Sequence, residues 1–183
     1  TDRWWAHGGV LFKTTNTDPE VGWTQDAIAS SPTAPLYDMI EFQDALLVAV
    51  STNISRLSTS WTASWWSSLT GASALSANPH RFAIFAGAVL FTDNYFINSY
   101  DGTVAKDPAL TLPQDFIAQW IRTTADFAYI GTENVTGGEA EIFFWDRTSS
   151  TFNRRFGIGD TKALCGFAID GVPYIVTKKG AIK

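Results

Sequence analysis

The sequence predicts an all-β protein, and within that class a β-propeller. A hairpin pattern returns five times at intervals of about 40 residues, and the clearest copies add two further short apolar segments after the hairpin. Four short strands in a repeat of this length are typical of one propeller blade. A β-sandwich or a β-solenoid fits less well, because sandwich strands recur at about 8 to 12 residues without a longer period and solenoid coils are usually shorter.

Each copy of the hairpin places a small or acidic residue between two runs rich in β-branched and aromatic side chains. The copies lie at residues 4–14, 39–52, 85–103, 120–132 and 165–177, with Gly8, Asp44, Gly87, Asp126 and Asp170 at the turns. Such residues enter turns with positive φ at little cost, whereas the flanking runs favour strands. The third copy, FAGAVLFTDNYFINSYDGT, also shows a third strand, YFINSY.

The predicted blades span residues 1–35, 36–78, 79–115, 116–160 and 161–183, the last of them incomplete. Outer strands are predicted at EAEIFFWD and TFNRRFGI, and at NISRLST and WTASWWSS in the Ser- and Trp-rich second blade. PQDFIAQW (113–120) resembles the start of a helix more than a strand. Propellers usually close with about four to eight blades, so these four to five blades are expected to be part of a larger propeller, and the chain part of a longer one.

Composition and charge exclude several classes of function. With 183 residues, 45% of them hydrophobic, the chain can bury a core, and its net charge of -5 offers no basic surface to nucleic acid. The single cysteine, Cys165, cannot form an internal disulfide and is expected to be buried and inert, and two histidines leave few ligands for zinc. No apolar run approaches the roughly 18 residues of a membrane helix. We therefore expect no cofactor, no metal, no nucleic acid and no membrane insertion.

The acidic residues do not predict an active site, because most of them stand at turns. They are Asp44, Asp93, Asp101, Asp126, Asp146, Asp160 and Asp170. Aspartates at such positions commonly accept hydrogen bonds from nearby backbone amides, which explains them without the paired carboxylates of a glycosidase. His7 and His80 lack the context of a catalytic triad. The sequence therefore predicts a protein without catalytic residues.

The segment NTDPEVGWT resembles the Asp-box of sialidase-like propellers, Ser-x-Asp-x-Gly-x-Thr-Trp. Asp18 and Trp23 stand at the matching positions, while Asn16, Glu20 and Gly22 replace the Ser, Gly and Thr. The resemblance implies a structural turn, in which the Asp binds backbone amides and the Trp packs beneath the turn.

Two adjacent tryptophan pairs are candidates for an interaction surface. The pairs are Trp4 with Trp5 and Trp65 with Trp66. Neighbouring side chains on a strand point to opposite faces, so one ring of each pair is expected to face outward, where it could contact a protein partner or a sugar.

The C-terminal run EIFFWDRTSSTFNRRFGIGDTKALCGFAIDGVPYIVTKKGAIK is similar to propeller modules in structural proteins of tailed bacteriophages, including tail-nozzle and tail-hub components. The resemblance depends on short phrases, FFWDRTSSTFN and DGVPYIVTKKG. It implies a non-enzymatic scaffold located in the virion, whose partners are other copies of itself or other virion proteins. The alternative is a carbohydrate-binding or glycan-processing propeller of the sialidase-like kind, whose partner would be a host-surface glycan.

Overall fold

The computed structural model describes residues 3–7, 10–16, 18, 22, 24–25 and 35–182, and within these ranges the chain forms five antiparallel sheets. In every sheet, each strand pairs with the strand that follows it in the sequence. The predicted all-β class is therefore confirmed. Within the same ranges, no helix has the length and apolar composition that crossing a lipid bilayer requires.

The sheets are numbered 1 to 5 in chain order. Sheet 1 contains β1 (Arg3–His7), β2 (Val10–Thr14) and β3 (Thr24–Gln25), and sheet 2 contains β4 (Leu36–Phe42), β5 (Ala45–Val50), β6 (Asn53–Leu57) and β7 (Trp61–Thr62). Sheet 3 contains β8 (Phe82–Phe85), β9 (Ala88–Asp93), β10 (Phe96–Tyr100) and β11 (Ala105–Thr111). Sheet 4 contains β12 (Phe116–Thr123), β13 (Ala128–Asn134), β14 (Glu141–Trp145) and β15 (Arg154–Gly157), and sheet 5 contains β16 (Cys165–Ile169), β17 (Val172–Thr177) and β18 (Gly180–Ile182).

Three of the predicted hairpin turns close in two residues that both have positive φ. These turns are Gln43-Asp44, Ala86-Gly87 and Asp170-Gly171, with φ between 48° and 77°. Two left-handed residues in succession match the right-handed twist of the flanking strands, which is the reason that Gly and Asp are favoured there. Asp126 lies in a longer turn between Thr123 and Ala128, and Gly8 lies outside the described residues.

Successive sheets pack face to face through apolar side chains. The contact between sheets 2 and 3 includes Leu47, Trp66 and Phe91, that between sheets 3 and 4 includes Leu90, Ile130 and Phe143, and that between sheets 4 and 5 includes Trp120, Phe144 and Ile175. The first strands of neighbouring sheets also contact one another, β4 with β8, β8 with β12, and β12 with β16. Sheets that stack face to face with their first strands side by side form a β-propeller.

Two local predictions are wrong. PQDFIAQW does not begin a helix: β12 starts at Phe116, and burial alternates along its first half because one side of the strand faces sheet 3. WTASWWSS forms a strand only at Trp61 and Thr62, since a 3₁₀ helix follows at Trp66–Ser68. In both segments, packing between sheets outweighs the local sequence signal.

Candidate functional site

Two of the acidic residues that the sequence predicted to cap turns, Asp101 and Asp146, accept local hydrogen bonds. The Asp101 carboxylate accepts from the Thr103 amide at 2.9 Å, the Thr103 hydroxyl at 2.8 Å and the Val104 amide at 2.8 Å. The Asp146 carboxylate accepts from both donors of Thr148 in the same way, at 2.9 and 2.8 Å. Asn134 repeats the arrangement with Thr136, so the pattern Asp/Asn-x-Thr is a recurrent turn.

These hydrogen bonds favour the charged carboxylates. The amides of Val104 and Thr103 lower the pKa of Asp101 to about 2, and the amide of Thr148 lowers the pKa of Asp146. A carboxylate with a depressed pKa that is already bonded to its own turn is a poor general acid. Asp101 and Asp146 are therefore structural caps, as the sequence analysis predicted.

The turn of Asp101 gives a testable pH dependence. The pKa of Asp101 in the folded chain lies below the ordinary 3.8. The contribution of its carboxylate to the stability of the fold is therefore complete above a pH of about 4 and is lost as the pH falls toward about 2. We expect the carboxyl carbon of Asp101 to titrate in NMR with a midpoint of about 2. Thr103→Val removes one of the donors and is expected to raise that midpoint. A wild-type midpoint near 4 would contradict the capped turn.

His80 is fully buried, and the groups around it are those of the fold's own backbone and side chains. Its Nδ1 lies 2.8 Å from the Thr92 carbonyl oxygen, to which it donates, and 3.8 Å from Oδ1 of Asp93. Asp93 is also buried and accepts from the amide of Ser76 at 2.9 Å. Through these hydrogen bonds, His80 and Asp93 fasten the loop before β8 to sheet 3. Within the described ranges, no group of three His, Cys, Asp or Glu residues could hold a metal ion.

Of the two tryptophan pairs predicted to form an interaction surface, the first pair, Trp4 and Trp5, lies on a strand as expected. Trp4 is half-buried on β1, against the apolar side of sheet 2, with the Lys13 Nζ 5.4 Å from its ring centroid. Trp5 also lies on β1, but its side chain is outside what the structure describes. Trp4 and Trp5 remain interface predictions.

The prediction of an outward ring at Trp65 or Trp66 is wrong. Trp66 has no exposed surface and Trp65 is 7% exposed, and both pack in the core between sheets 2 and 3. The alternation rule does not apply to them, because these residues lie at the 3₁₀ helix rather than on a strand.

The segment that resembles an Asp-box is described at Asp18 and not at Trp23. The amide of Asp18 donates to Oδ1 of Asn16 at 3.1 Å, and the amide of Asn16 donates to the Thr14 hydroxyl at 3.1 Å. Asn16, which replaces the Ser of the box, therefore caps this turn. The prediction for Trp23 lies outside the described residues.

Sheet 5 presents an apolar face that sequence reasoning missed. Its strand register places six side chains on one side, which we call the forward face: Cys165, Phe167, Ile169, Val172, Tyr174 and Val176. Phe167 is 41% exposed and Ile169 is 53% exposed, and the Phe167 ring stacks on Tyr174 at 5.4 Å between centroids. Cys165 is exposed on the same face, contrary to the expectation of a buried thiol.

The forward face of sheet 5 can be compared with the equivalent face of sheet 3, which is covered by a neighbouring sheet. Counted from the two-residue turns, Phe167 and Ile169 occupy the positions that Ala83 and Phe85 hold in sheet 3. Ala83 and Phe85 are each 7% exposed, because sheet 4 covers them. The forward face of sheet 5 therefore has the character of a contact between blades, with its aromatic and aliphatic side chains left accessible. The sequence contained a signal for this face, because aligning the repeats on their turns places Phe167 and Ile169 at the positions of Ala83 and Phe85.

No protein-family model and no curated protein matches the chain. Among solved structures, the chain is similar to the extracellular domain of BT4673 of B. thetaiotaomicron, described as a hybrid two-component system (TM-score 0.68, 10% identity). That match covers 98% of this chain and 25% of the other, so the present chain spans a quarter of its length.

Two further solved structures extend the comparison. Dihydro-heme d1 dehydrogenase NirN gives a TM-score of 0.57 at 16% identity, covering 94% of this chain and 39% of that one. Hsv2 of Kluyveromyces marxianus gives 0.56 at 14% identity, covering 98% and 57%. At these identities the likeness concerns the fold, and all three structures are β-propellers. The sheet packing and the comparisons together show that the described part of this chain has the blade architecture of a β-propeller.

Proposed function

We propose that this chain is a non-enzymatic structural component of a tailed-bacteriophage particle, belonging to the tail, nozzle or hub, in which the propeller acts as a rigid scaffold. The observation that carries the proposal is the accessible forward face of sheet 5. The similarity of its sequence, and of the preceding loop, to phage propeller modules supplies the biological setting.

The physical argument is the cost of leaving such a face in water. Burying a Phe or Ile side chain completely contributes about 1.5–3 kcal/mol, so Phe167 and Ile169 have stabilising energy still available for a contact. Contiguous exposed apolar side chains commonly mark an interaction site. The partner is an apolar sheet face, which a further propeller blade, another copy of this chain or another virion protein would present.

The chemistry of the turns supports a role without catalysis. The carboxylates of Asp101 and Asp146 are bonded to their own turns, and His80 is enclosed in the core. These groups serve the rigidity of the scaffold, which is the property that an assembly module requires. A glycan-processing propeller would need a convergent pair of carboxylates instead.

The forward face gives a direct test by sedimentation. We expect the chain to self-associate in analytical ultracentrifugation, and Phe167→Lys with Ile169→Lys to abolish that association, because two charges cannot be buried unpaired in the contact. Val104→Lys with Val135→Lys is the matched control: these residues are 52% and 53% exposed but lie in loops of sheets 3 and 4. This variant is expected to associate like the wild type.

A second measurement separates the proposed role from the carbohydrate-binding alternative. The wild-type chain is applied to a glycan array under the conditions of the sedimentation experiment. A chain that stays monomeric and binds an oligosaccharide would contradict the structural role and favour the alternative. Self-association that the Lys variants remove supports the scaffold.

A further inference from the structure

We infer that the cleft between sheets 3 and 4 binds an anionic sugar, a hexose-sized polyol that carries a carboxylate or a phosphate. The cleft has a volume of about 430 Å³, within the range of about 300–1,000 Å³ that is usual for small-ligand sites. Sheet 3 contributes Ser99, Lys106, Pro108 and Ala109, and sheet 4 contributes Trp145, Arg147, Thr148, Ser149 and Ser150.

The charge of the cleft is opposite to that of the chain. Lys106 and Arg147 both line it, and none of its lining residues is acidic, although the chain has 18 acidic and 13 basic residues. The ion pairs among the described residues involve neither of these two cations. Two positive charges that have no ion-pair partner among the described residues favour an anion in this cleft.

Arg147 is held in place without losing its charge. Its Nη1 donates to the carbonyl oxygens of Phe85 and Ala86, at 2.9 Å each, across the boundary between the two sheets. Carbonyl acceptors orient the guanidinium but do not neutralise it, and they leave other N–H donors of the group unused. Arg147 is therefore positioned before a ligand arrives, which reduces the entropy lost on binding.

Residues with hydroxyl groups line the same cleft as the two cations and suit the polyol part of the ligand. Ser99 is only 2% exposed, and it stands opposite Lys106 in the pairing of β10 with β11. Ser150 is exposed in the lining of the cleft, so its hydroxyl can donate to a ligand and accept from one. Thr148 and Ser149 are engaged within their own loop and give the wall its shape.

The remaining lining is apolar and rigid. Ala109 and Trp145 are buried, and the Trp145 Nε1 donates to the Ser149 carbonyl at 2.8 Å, which fixes the loop above the cleft. Pro108 is the exposed apolar residue of the lining and is the one suited to the C–H groups of a sugar ring. Because Trp145 is only 2% exposed, the cleft offers no aromatic face on which a nucleobase could stack, so a nucleotide fits less well than a sugar acid or sugar phosphate.

Isothermal titration calorimetry with three probes tests the inference. Glucuronate carries a carboxylate, glucose 6-phosphate carries a phosphate, and glucose is the neutral counterpart. We expect at least one of the two acidic probes to bind with a Kd at least about tenfold lower than that of glucose, and to bind more weakly as salt is raised. The acid that binds more tightly identifies the anionic group. Equal binding of glucose and both acids, or no binding of either acid at concentrations up to about 20 mM, would overturn the inference.

A charge-matched pair of variants locates the site. Lys106→Gln is expected to raise the Kd of the acidic probe by about tenfold. Lys178→Gln makes the same change in net charge on exposed Lys178, beyond β17 in sheet 5, and is expected to leave the Kd unchanged. If both variants weaken binding equally, the effect is general electrostatics and the cleft is not the site. Self-association through the forward face of sheet 5 is independent of these outcomes.

Discussion

Replacing Trp120 by alanine is expected to lower the free energy of unfolding by about 3–5 kcal/mol, which is the usual cost of removing a buried tryptophan. Trp120 is 5% exposed and packs between sheets 4 and 5. A Cβ atom on either Gly131 or Gly166 would overlap its ring, so the indole fills space that both glycines leave open. Its Nε1 also donates to the Ala163 carbonyl at 3.1 Å. Urea denaturation followed by circular dichroism measures the loss.

Two further variants test whether the loss of stability comes from the packing of the Trp120 indole. Gly166→Ala is expected to destabilise the chain as well, since the added methyl group meets the indole in a site that cannot readily expand. Phe167→Ala removes an aromatic ring from the neighbouring residue on the accessible face, where the expected cost is about 1 kcal/mol or less. Equal losses for Trp120→Ala and Phe167→Ala would show that the contact between sheets 4 and 5 does not depend on Trp120.

The hairpins could be predicted because their signal is local. A turn with two positive φ angles favours Gly or Asp, and each of the three turns contains at least one such residue, Asp44, Gly87 or Asp170. The repeat of this signal was enough to predict the propeller. Gly131 and Gly166 could not be interpreted in the same way, because the reason for them is the Trp120 ring, which approaches from another strand and from another sheet.

The surfaces could not be predicted, because they depend on which face a neighbouring sheet covers. Cys165 lies in an apolar run that was expected to be buried, but its side chain is on the accessible face of the strand. The cleft joins Lys106 to Arg147, which are far apart in the sequence and belong to different sheets. No local sequence pattern indicates that these two residues line the same cleft. It becomes visible when the register of each strand is known.

Trp66→Ala is the second substitution with a large expected effect, a loss of about 3–5 kcal/mol in the free energy of unfolding. The Trp66 ring has no exposed surface and lies edge-on to Phe91, with 4.6 Å between ring centroids. Phe91 is itself 1% exposed and also contacts Phe82. Removing the indole leaves a cavity in the contact between sheets 2 and 3 that the surrounding strands cannot close fully. Urea denaturation again measures the effect.

The same variant distinguishes a core residue from an interface residue. Had Trp66 faced a partner, its replacement would change stability by about 0.5 kcal/mol or less and would reduce association instead. Ser67→Ala is the adjacent control, because Ser67 is exposed and its hydroxyl donates to the carbonyl oxygen of the nearby Ser64, at 2.9 Å. We expect Trp66→Ala to lose stability while Ser67→Ala stays near the wild type. A stable Trp66→Ala chain that has lost only its self-association would restore the sequence prediction and would require a different contact between sheets 2 and 3.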